Sequence, residues 1–449
     1  VGRTSKRVIV EKVENKNIGD IFKSYYKDYG SYVLKYRALP DLVSSLRAAH
    51  RRILLSVYEL TKGKSGFIKS SNVIGYCLQN YHPHGDVALN DVIRGLVGAG
   101  FLEGQGNFGS PREAIYNIPS AAQRYTEIKL TDFTKKLFFN YIDSVERIES
   151  ENMPEPIHLS AIVPFCLIKW GMYSVPAFSK KSIIPSFTLE SIFDFIIEGD
   201  CKNIKLLKPD IGLNVISVDK NIYTKGTGKI EAQMDFSYNN KDTFVVKQKP
   251  PIEGFRTLEK YLDKNYNLKV IDNSTSSGTN IEIFVKSNHK EEIKNLKKIL
   301  SSKYTYSIDM ILWDFYNDKE VTIGVVDLIK NTISHYYKYR NDEISKKIDG
   351  LLRKLEEAVL LEKIKEGIKS KKIKIDNIDK FINDVSSYCK ITKERSVEIS
   401  KRYTIYSIVN CKNDIKKMEQ EMLALKKTYE NKSDFINELK DVRKSIIGK

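Results

Sequence analysis

From about Val325 onward the chain is free of proline and rich in Lys, Glu, Ile and Leu, with apolar residues at a fixed rhythm. Ile344, Ile348, Leu351, Leu355 and Ala358 follow alternating steps of four and three, and Ile408, Cys411, Ile415, Met418, Met422, Leu425 and Tyr429 do the same. Such spacing draws an apolar seam along one helix face that another helix must cover. The two stretches flank an irregular segment from about Gly367 to Lys401, the pattern of a long antiparallel coiled coil with a small globular tip. A plain helical bundle satisfies the same periodicity.

The preceding sequence has other textures, and the whole reads as an α+β multidomain chain. Residues 1–28 are polar and weakly patterned, an N-terminal arm. Residues 29–153 gather glycine, histidine and most of the distinctive short motifs. Leu42, Leu46, Ile53, Val57 and Leu60 predict a helix within 35–60. A second is expected over Ser71–Gln79, and after the break at Pro83 and Gly85, Asp86 can cap a third over Val87–Val97. Short helices joined by a tight break fit a helix-turn-helix or winged-helix DNA reader. Over 154–324, β-like runs (Asn214–Val218, Thr243–Val246, Asn280–Val285) alternate with helical ones (Leu189–Glu198, Lys290–Leu300), which predicts an α/β domain. Residues 325–449 form the coiled-coil domain.

Charge narrows the partner. The 449 residues carry 74 Lys and Arg against 57 Asp and Glu, a formal charge of +17, which suits a polyanion. Some of that surplus is ordinary solvation of the lysine-rich coil faces. No apolar run reaches the ~18 residues that span a bilayer, and the basic N-terminus lacks the apolar core of a secretory signal. A cytoplasmic protein without membrane contact is expected. The five cysteines are dispersed without a C-x-x-C pair, so neither a disulfide framework nor a structural zinc site is supported.

Three clusters could carry chemistry. In YHPHGD (Tyr81–Asp86), His82 and His84 could ligate a metal, but further ligands are missing nearby, and imidazoles facing phosphate are the better reading. In GQGNFGS (Gly104–Ser110), the glycines would let backbone N–H groups approach a phosphate around Gln105 and Asn107. A structural turn explains them equally, and the pattern is not an ATP-binding P-loop. In AAQRYTE (Ala121–Glu127), Arg124 precedes Tyr125. A tyrosine becomes nucleophilic on losing its proton, and an adjacent guanidinium can neutralise both the phenolate and a pentavalent phosphate. A packed or surface tyrosine would give the same dipeptide.

With YRALPD (Tyr36–Asp41), HRR (His50–Arg52) and AAQRYTEIKL (Ala121–Leu130), these motifs resemble, in order, the breakage-reunion core of type IIA DNA topoisomerases: the A subunits of bacterial gyrase and topoisomerase IV. The later two-thirds resembles the family in layout more than in motif, and the length is closer to compact phage-type subunits. The resemblance implies a winged-helix DNA-gate domain, an α/β tower and a coiled coil ending in an exit gate. It implies that Tyr125 attacks a DNA phosphodiester and stays joined to the 5′ end, assisted by Arg124, with His84 and His82 near the scissile phosphate. Arg37, Arg47 and His50 match phosphate-contacting positions, and Arg51 and Arg52 belong to the same basic group. Val175, in WGMYSVP, is the nearest counterpart of the family's intercalating wedge.

Departures carry implications too. The family's DGLKP is replaced by Ser44, Ser45, Leu46, Arg47 and Ala48, which keeps the cation and loses the Gly and Pro of that turn. Val87 stands where many relatives place a small hydroxyl residue on which quinolones depend, implying weak quinolone poisoning. The stretch Glu198-Gly199-Asp200-Cys201 imitates a Toprim acidic motif but ends an expected helix, with Gly199 as its cap. No metal site is expected in this chain. The resemblance therefore implies Mg²⁺ and ATP bound by a B-type Toprim/ATPase partner, and a homodimer of this chain within an A2B2 assembly. A DNA-wrapping domain is not recognisable, so relaxation and decatenation are expected without active supercoiling. The rivals are a non-catalytic architectural DNA-binding dimer and a tyrosine recombinase, which would attach to the 3′ end.

Overall fold

The computed structural model describes residues 17–448 apart from 111–113, 116–117, 151, 169–171, 178–179, 199–202, 248–251, 266–267, 276–277 and 410–413. Most of the N-terminal arm, the Gly199–Cys201 stretch and the Cys411 heptad position lie outside the described residues. The chain divides into two compact units, one ending at His335 and one beginning at Tyr336.

The first unit opens with α1 (Ile18–Val33), which runs into a single π-helical turn at Leu34–Ala38. The helix expected within 35–60 is interrupted here. Pro40 biases Leu39 to extended backbone (φ −82°, ψ 144°), and the chain then folds around the buried Asp41 carboxylate. That carboxylate accepts hydrogen bonds from the backbone N–H groups of Val43, Ser44 and Leu46 (2.9, 2.6 and 3.1 Å) and from the Ser44 hydroxyl. Leu42 and Leu46, counted as helical by spacing, belong to this loop. The helix itself, α2, spans Ala48–Thr61.

Helix α2 buries Ile53, Leu54, Leu55 and Val57 almost completely. It packs with α3 (Ser70–Asn80), which follows the short strand β1 (Ile68–Lys69), and with α4 (Asp86–Gly98). Strands β2 (Leu102–Gln105) and β3 (Glu127–Leu130) complete a three-stranded antiparallel sheet in the order β1-β3-β2. Beneath it, α5 (Asp132–Phe138) contributes Phe138 to an aromatic cluster with Phe101 and Phe165, whose ring centroids lie 4.5–6.1 Å apart. A two-stranded ladder, β4 (Arg147–Ile148) with β5 (Glu155–Pro156), runs behind α2.

The next segment builds two antiparallel sheets. Strands β6 (Met172–Ala177) and β7 (Lys180–Pro185) precede α6 (Leu189–Ile197), then β8 (Asn214–Val218), α7 (Asn221–Thr224) and β9 (Thr227–Gln233). Strands β10 (Phe236–Tyr238) and β11 (Thr243–Val246) lead to α8 (Ile252–Lys264), β12 (Lys269–Asp272), β13 (Ile281–Phe284), α9 (Lys290–Leu300) and β14 (Lys303–Asp309). One sheet has the order β6-β7-β14-β9-β8, the other β10-β11-β13-β12. The hairpin of β15 (Ile311–Asp314) and β16 (Lys319–Thr322) returns to the first segment, where Leu42 N–H bonds the Trp313 carbonyl at 2.9 Å.

Helix α10 (Val325–Lys369) crosses the unit boundary. In the second unit it is followed by α11 (Ile378–Cys389), α12 (Lys393–Arg402), α13 (Ile405–Val409), α14 (Ile415–Thr428) and α15 (Lys432–Ile447). The returning chain runs antiparallel to α10: Arg340 bonds Glu438 at 2.7 Å and the Thr428 carbonyl at 3.3 Å, whereas Glu357, farther along α10, meets Arg402 at 2.8 Å. Ile344, Ile348, Leu351, Leu355 and Ala358 face inward, as do Ile415, Met418, Met422 and Leu425, which mark one side of α14 that is otherwise exposed. Beyond the seam, Leu361, Ile364, Ile373, Phe381, Val385, Cys389, Ile399 and Ile408 form a separate small core.

Candidate active site

Tyr125 ends a 3₁₀ turn, Gln123–Tyr125, immediately before β3. Its side chain is 66% exposed, unusual for an aromatic residue at the edge of a packed sheet. The backbone beneath it is fixed. Thr126 is buried, its hydroxyl donates to the Ser70 hydroxyl at 2.8 Å, and its carbonyl accepts from Ser70 N–H at 2.9 Å. The Arg124 guanidinium carbon lies 4.6 Å from the Tyr125 ring centroid. The result is an exposed phenol on a rigid base, with a guanidinium across its ring.

The glycine-rich loop supports this turn from the side. Gly106 has φ +106°, and a Cβ there would sit 3.0 Å from the Tyr125 carbonyl oxygen. Gly109 has φ +84°, and its Cβ would fall 2.3 Å from the Ile118 carbonyl oxygen. The Asn107 carbonyl accepts Ala121 N–H at 2.8 Å, while its side chain accepts Gly109 N–H at 2.8 Å. Gln105 is exposed in β2, paired with Glu127. Between the two readings left open by sequence, the glycines act here as close-packing positions that hold the Tyr125 loop.

A groove of about 470 Å³ lined by Ser71, Gly75, His84, Gly85, Asp86 and Gln123 joins the YHPHGD motif to the turn bearing Tyr125. Gln123 bridges the two by donating to Asp86 at 3.0 Å. Val87, at the start of α4, is 70% exposed. His84 is half-buried and bonded to the exposed Arg37, which also stacks over Tyr32. His82 is buried, with its ring 5.2 Å from that of His84 and nearly perpendicular to it. Its Nδ1 is 2.9 Å from Arg52 Nη1. Each imidazole thus faces a guanidinium, an arrangement hostile to a metal cation. Among the described residues, no cluster of three or more His, Cys, Asp or Glu side chains could hold a metal ion.

Several expected contacts lie inside the protein. Arg51 is fully buried, with Nη1 donating to the Ile157 carbonyl at 2.8 Å and Nη2 3.3 Å from Glu155. Arg52 is 8% exposed and grips the same carboxylate. The expectation that these two arginines meet phosphate is corrected: they are engaged by Glu155, a residue sequence reading missed because it lies 103 positions from Arg52. Glu155 is itself buried, which favours its neutral form, but Arg51 and Arg52 outweigh that and hold its pKa below the ordinary value.

His50 is also buried, beside Phe165 and Tyr173, and burial followed by the charge of Arg47 keeps its pKa well below normal. It supports the site from within and does not present its ring to a ligand. Arg47 is half-buried at the head of α2. It adjoins the Tyr173 hydroxyl, whose pKa burial pushes up to about 12 against the pull of that guanidinium. Val175 is 1% exposed in β6, paired with Ser182, so it cannot wedge between bases as placed. Glu198 is the C-terminal cap residue of α6, and Gly199, expected as the cap, lies outside the described residues.

These features set an exposed tyrosine and a guanidinium together on a rigid surface turn. The chain belongs to the family of DNA gyrase/topoisomerase IV A subunits, whose model it matches over residues 37–447. It is 27% identical over 348 residues to the A subunit of DNA topoisomerase 4 from Borreliella burgdorferi, covering 76% of this chain and 54% of that protein. It is 27% identical over 403 residues to the DNA gyrase A subunit of Dehalogenimonas lykanthroporepellens, with 82% and 47% covered, and 28% identical over 407 residues to that of Campylobacter fetus, with 83% and 45% covered. The chain spans about half the length of these curated relatives.

Proposed function

We propose that this chain is the DNA-breaking subunit of a type II topoisomerase. The observation that carries the proposal is the exposed Tyr125, paired with Arg124, on a turn whose Gln123 lines one groove with His84. In this reading α2–α4 and their small sheet act as a winged-helix DNA-gate domain over 29–153. Residues 154–324 are the tower that guides the duplex, and 325–449 the coiled coil and exit gate.

The Tyr125 phenolate attacks a backbone phosphorus. The new bond joins the tyrosine oxygen to the 5′ phosphate, and the 3′ oxygen leaves and takes up a proton. Reversal restores the duplex, and because one phosphoester replaces another no bond energy is lost. Arg124 offsets the negative charge of phenolate and pentavalent phosphate, while His84, Arg37 and Arg47 face neighbouring phosphates. One tyrosine opens one strand, so double-strand passage requires two copies of this chain. Mg²⁺ and ATP are assigned to a B-type Toprim/ATPase partner within an A2B2 assembly.

The test is a Mg²⁺-dependent cleavage assay on duplex DNA with and without a B-type subunit, trapped by detergent. Tyr125→Phe is expected to abolish covalent DNA attachment and leave DNA binding within about twofold, since an exposed hydroxyl adds little to a phosphate-dominated affinity. Covalent adducts formed by the Phe variant contradict the assignment. Salt-sensitive binding with no adduct from the native chain under any condition favours the architectural dimer.

A further inference from the structure

Behind the groove lies a charged cluster that the proposed chemistry does not use: Glu155, Arg51, Arg52 and His82. Its geometry is restrictive. Arg52 Nε sits 3.2 and 3.0 Å from the two Glu155 oxygens, and Nη2 lies 2.6 Å from Oε1. With that edge of the fork taken, Nη1 is the group directed to His82 Nδ1, at 2.9 Å. A guanidinium has five donors, no acceptor, and stays charged at any physiological pH. His82 Nδ1 must therefore accept, which places the imidazole proton on Nε2. The ring's backbone is held as well, with His82 N–H on the Cys77 carbonyl and His84 N–H on the His82 carbonyl (2.9 and 2.7 Å).

The groups around His82 are Arg52, His84, Arg37 and Glu155, and Glu155 alone favours protonation. Burial, then the neighbouring cations, hold the His82 pKa down at about 4. Glu155 can do its part because its backbone is locked in the β4–β5 ladder opposite Ile148 and because Arg51 supplies the second positive charge.

We propose that Glu155 is a positioning residue: by clamping Arg52 it fixes His82 as a neutral imidazole that accepts at Nδ1 and carries its proton on Nε2. The YHPHGD loop is thereby braced from behind, with His82 restricted to donating through Nε2. The consequence for cleavage rests on the function proposed above, whereas the tautomer is a property of the chain alone.

The experiment has two readouts. The full chain carries six histidines, few enough for ¹⁵N-histidine spectra to be assigned by substitution. In the native chain His82 should show the Nε2–H tautomer and remain unprotonated from pH 8 down to pH 5. In Glu155→Gln, and in Arg52→Lys, which preserves the buried charge balance but lacks the fork, His82 should become a tautomer mixture with a shifted titration. Cleavage with the partner subunit should fall about 10- to 100-fold, as for other losses of a supporting hydrogen-bond partner. If Glu155→Gln does not fold, Arg52→Lys decides. An Nδ1–H tautomer in the native chain, titration near pH 6.5, or an unchanged His82 spectrum in Arg52→Lys overturns the proposal. Native protein that shows the Nε2–H signature yet never cleaves DNA sinks the functional reading and leaves the tautomer assignment standing.

Discussion

Ser45 stands where the family's turn has glycine, and its backbone still adopts the left-handed conformation, with φ 59°. The Asp41 carboxylate, bonded to Val43, Ser44 and Leu46, enforces that shape despite the side chain. A non-glycine residue held there costs about 1–2 kcal/mol. Ser45→Gly should therefore stabilise the chain by about 1 kcal/mol, less whatever its hydroxyl contributes beside Cys166, read as a higher urea midpoint. An unchanged or lower midpoint contradicts this account of the turn.

Two histidines also make stability depend on pH. His82 and His50 have folded pKa values below that of the unfolded chain, so the unfolded state binds more protons between about pH 4 and 6.5. Stability from these two histidines should be fully present near pH 7 and decline as pH falls through 6.5. Glu155 does not contribute in the upper part of this window: its pKa is depressed, so its contribution persists above the ordinary carboxylate range and is lost only below it. Urea midpoints at pH 7 and pH 5 check this. The native midpoint should drop, and the drop should shrink in a His50→Gln, His82→Gln variant; equal midpoints in the native chain contradict the burial argument.

Among the elements, the loop 104–110 and helix α3 give opposite predictions for the same substitution. Gly109→Ala places a Cβ against the Ile118 carbonyl at positive φ and should cost about 1–3 kcal/mol from the backbone alone. Gly75, exposed within α3, has nothing within 4 Å of its Cβ position, so Gly75→Ala should stabilise by about 1 kcal/mol. Thermal unfolding of the two variants separates a glycine required by packing from one that packing does not need.

The elements also show what could be read from sequence. Lys290–Leu300 and Leu189–Ile197 carry their own periodicity, the latter with Thr188 as its cap, and Asn214–Val218 and Thr243–Val246 their β-branched runs, so local pattern was enough. The segment 35–60 misled because its apolar spacing ignores Pro40 and a carboxylate that organises the chain after it. Tyr125, Arg124 and His84, the residues of the proposed site, were legible through the resemblance of their short motifs to a known family. The burial of Arg51, Arg52, His50 and Val175 was not, since it depends on partners far away in sequence, of which Glu155 is the clearest.

On the scale of the molecule, the charge of +17 acquires two addresses. Within the second unit, lysines line the outward faces of α10 and α14 and are solvated there. Within the first, Arg37 lies beside His84 and Arg124 beside Tyr125, while the buried Arg51 and Arg52 share the single carboxylate of Glu155. The antiparallel seam of the second unit ends in its own small core. No described helix is long and apolar enough to cross a membrane.

The central claim is that Tyr125 breaks DNA by joining itself to a 5′ phosphate. The most direct measurement uses duplex DNA labelled separately at each end, cleaved by the chain with Mg²⁺ and a B-type subunit, trapped, and mapped by peptide sequencing of the adduct. The account predicts a phosphotyrosine at Tyr125 on the 5′ end of each broken strand, with free 3′ hydroxyls. Attachment to the 3′ end, or through any residue other than Tyr125, would contradict it.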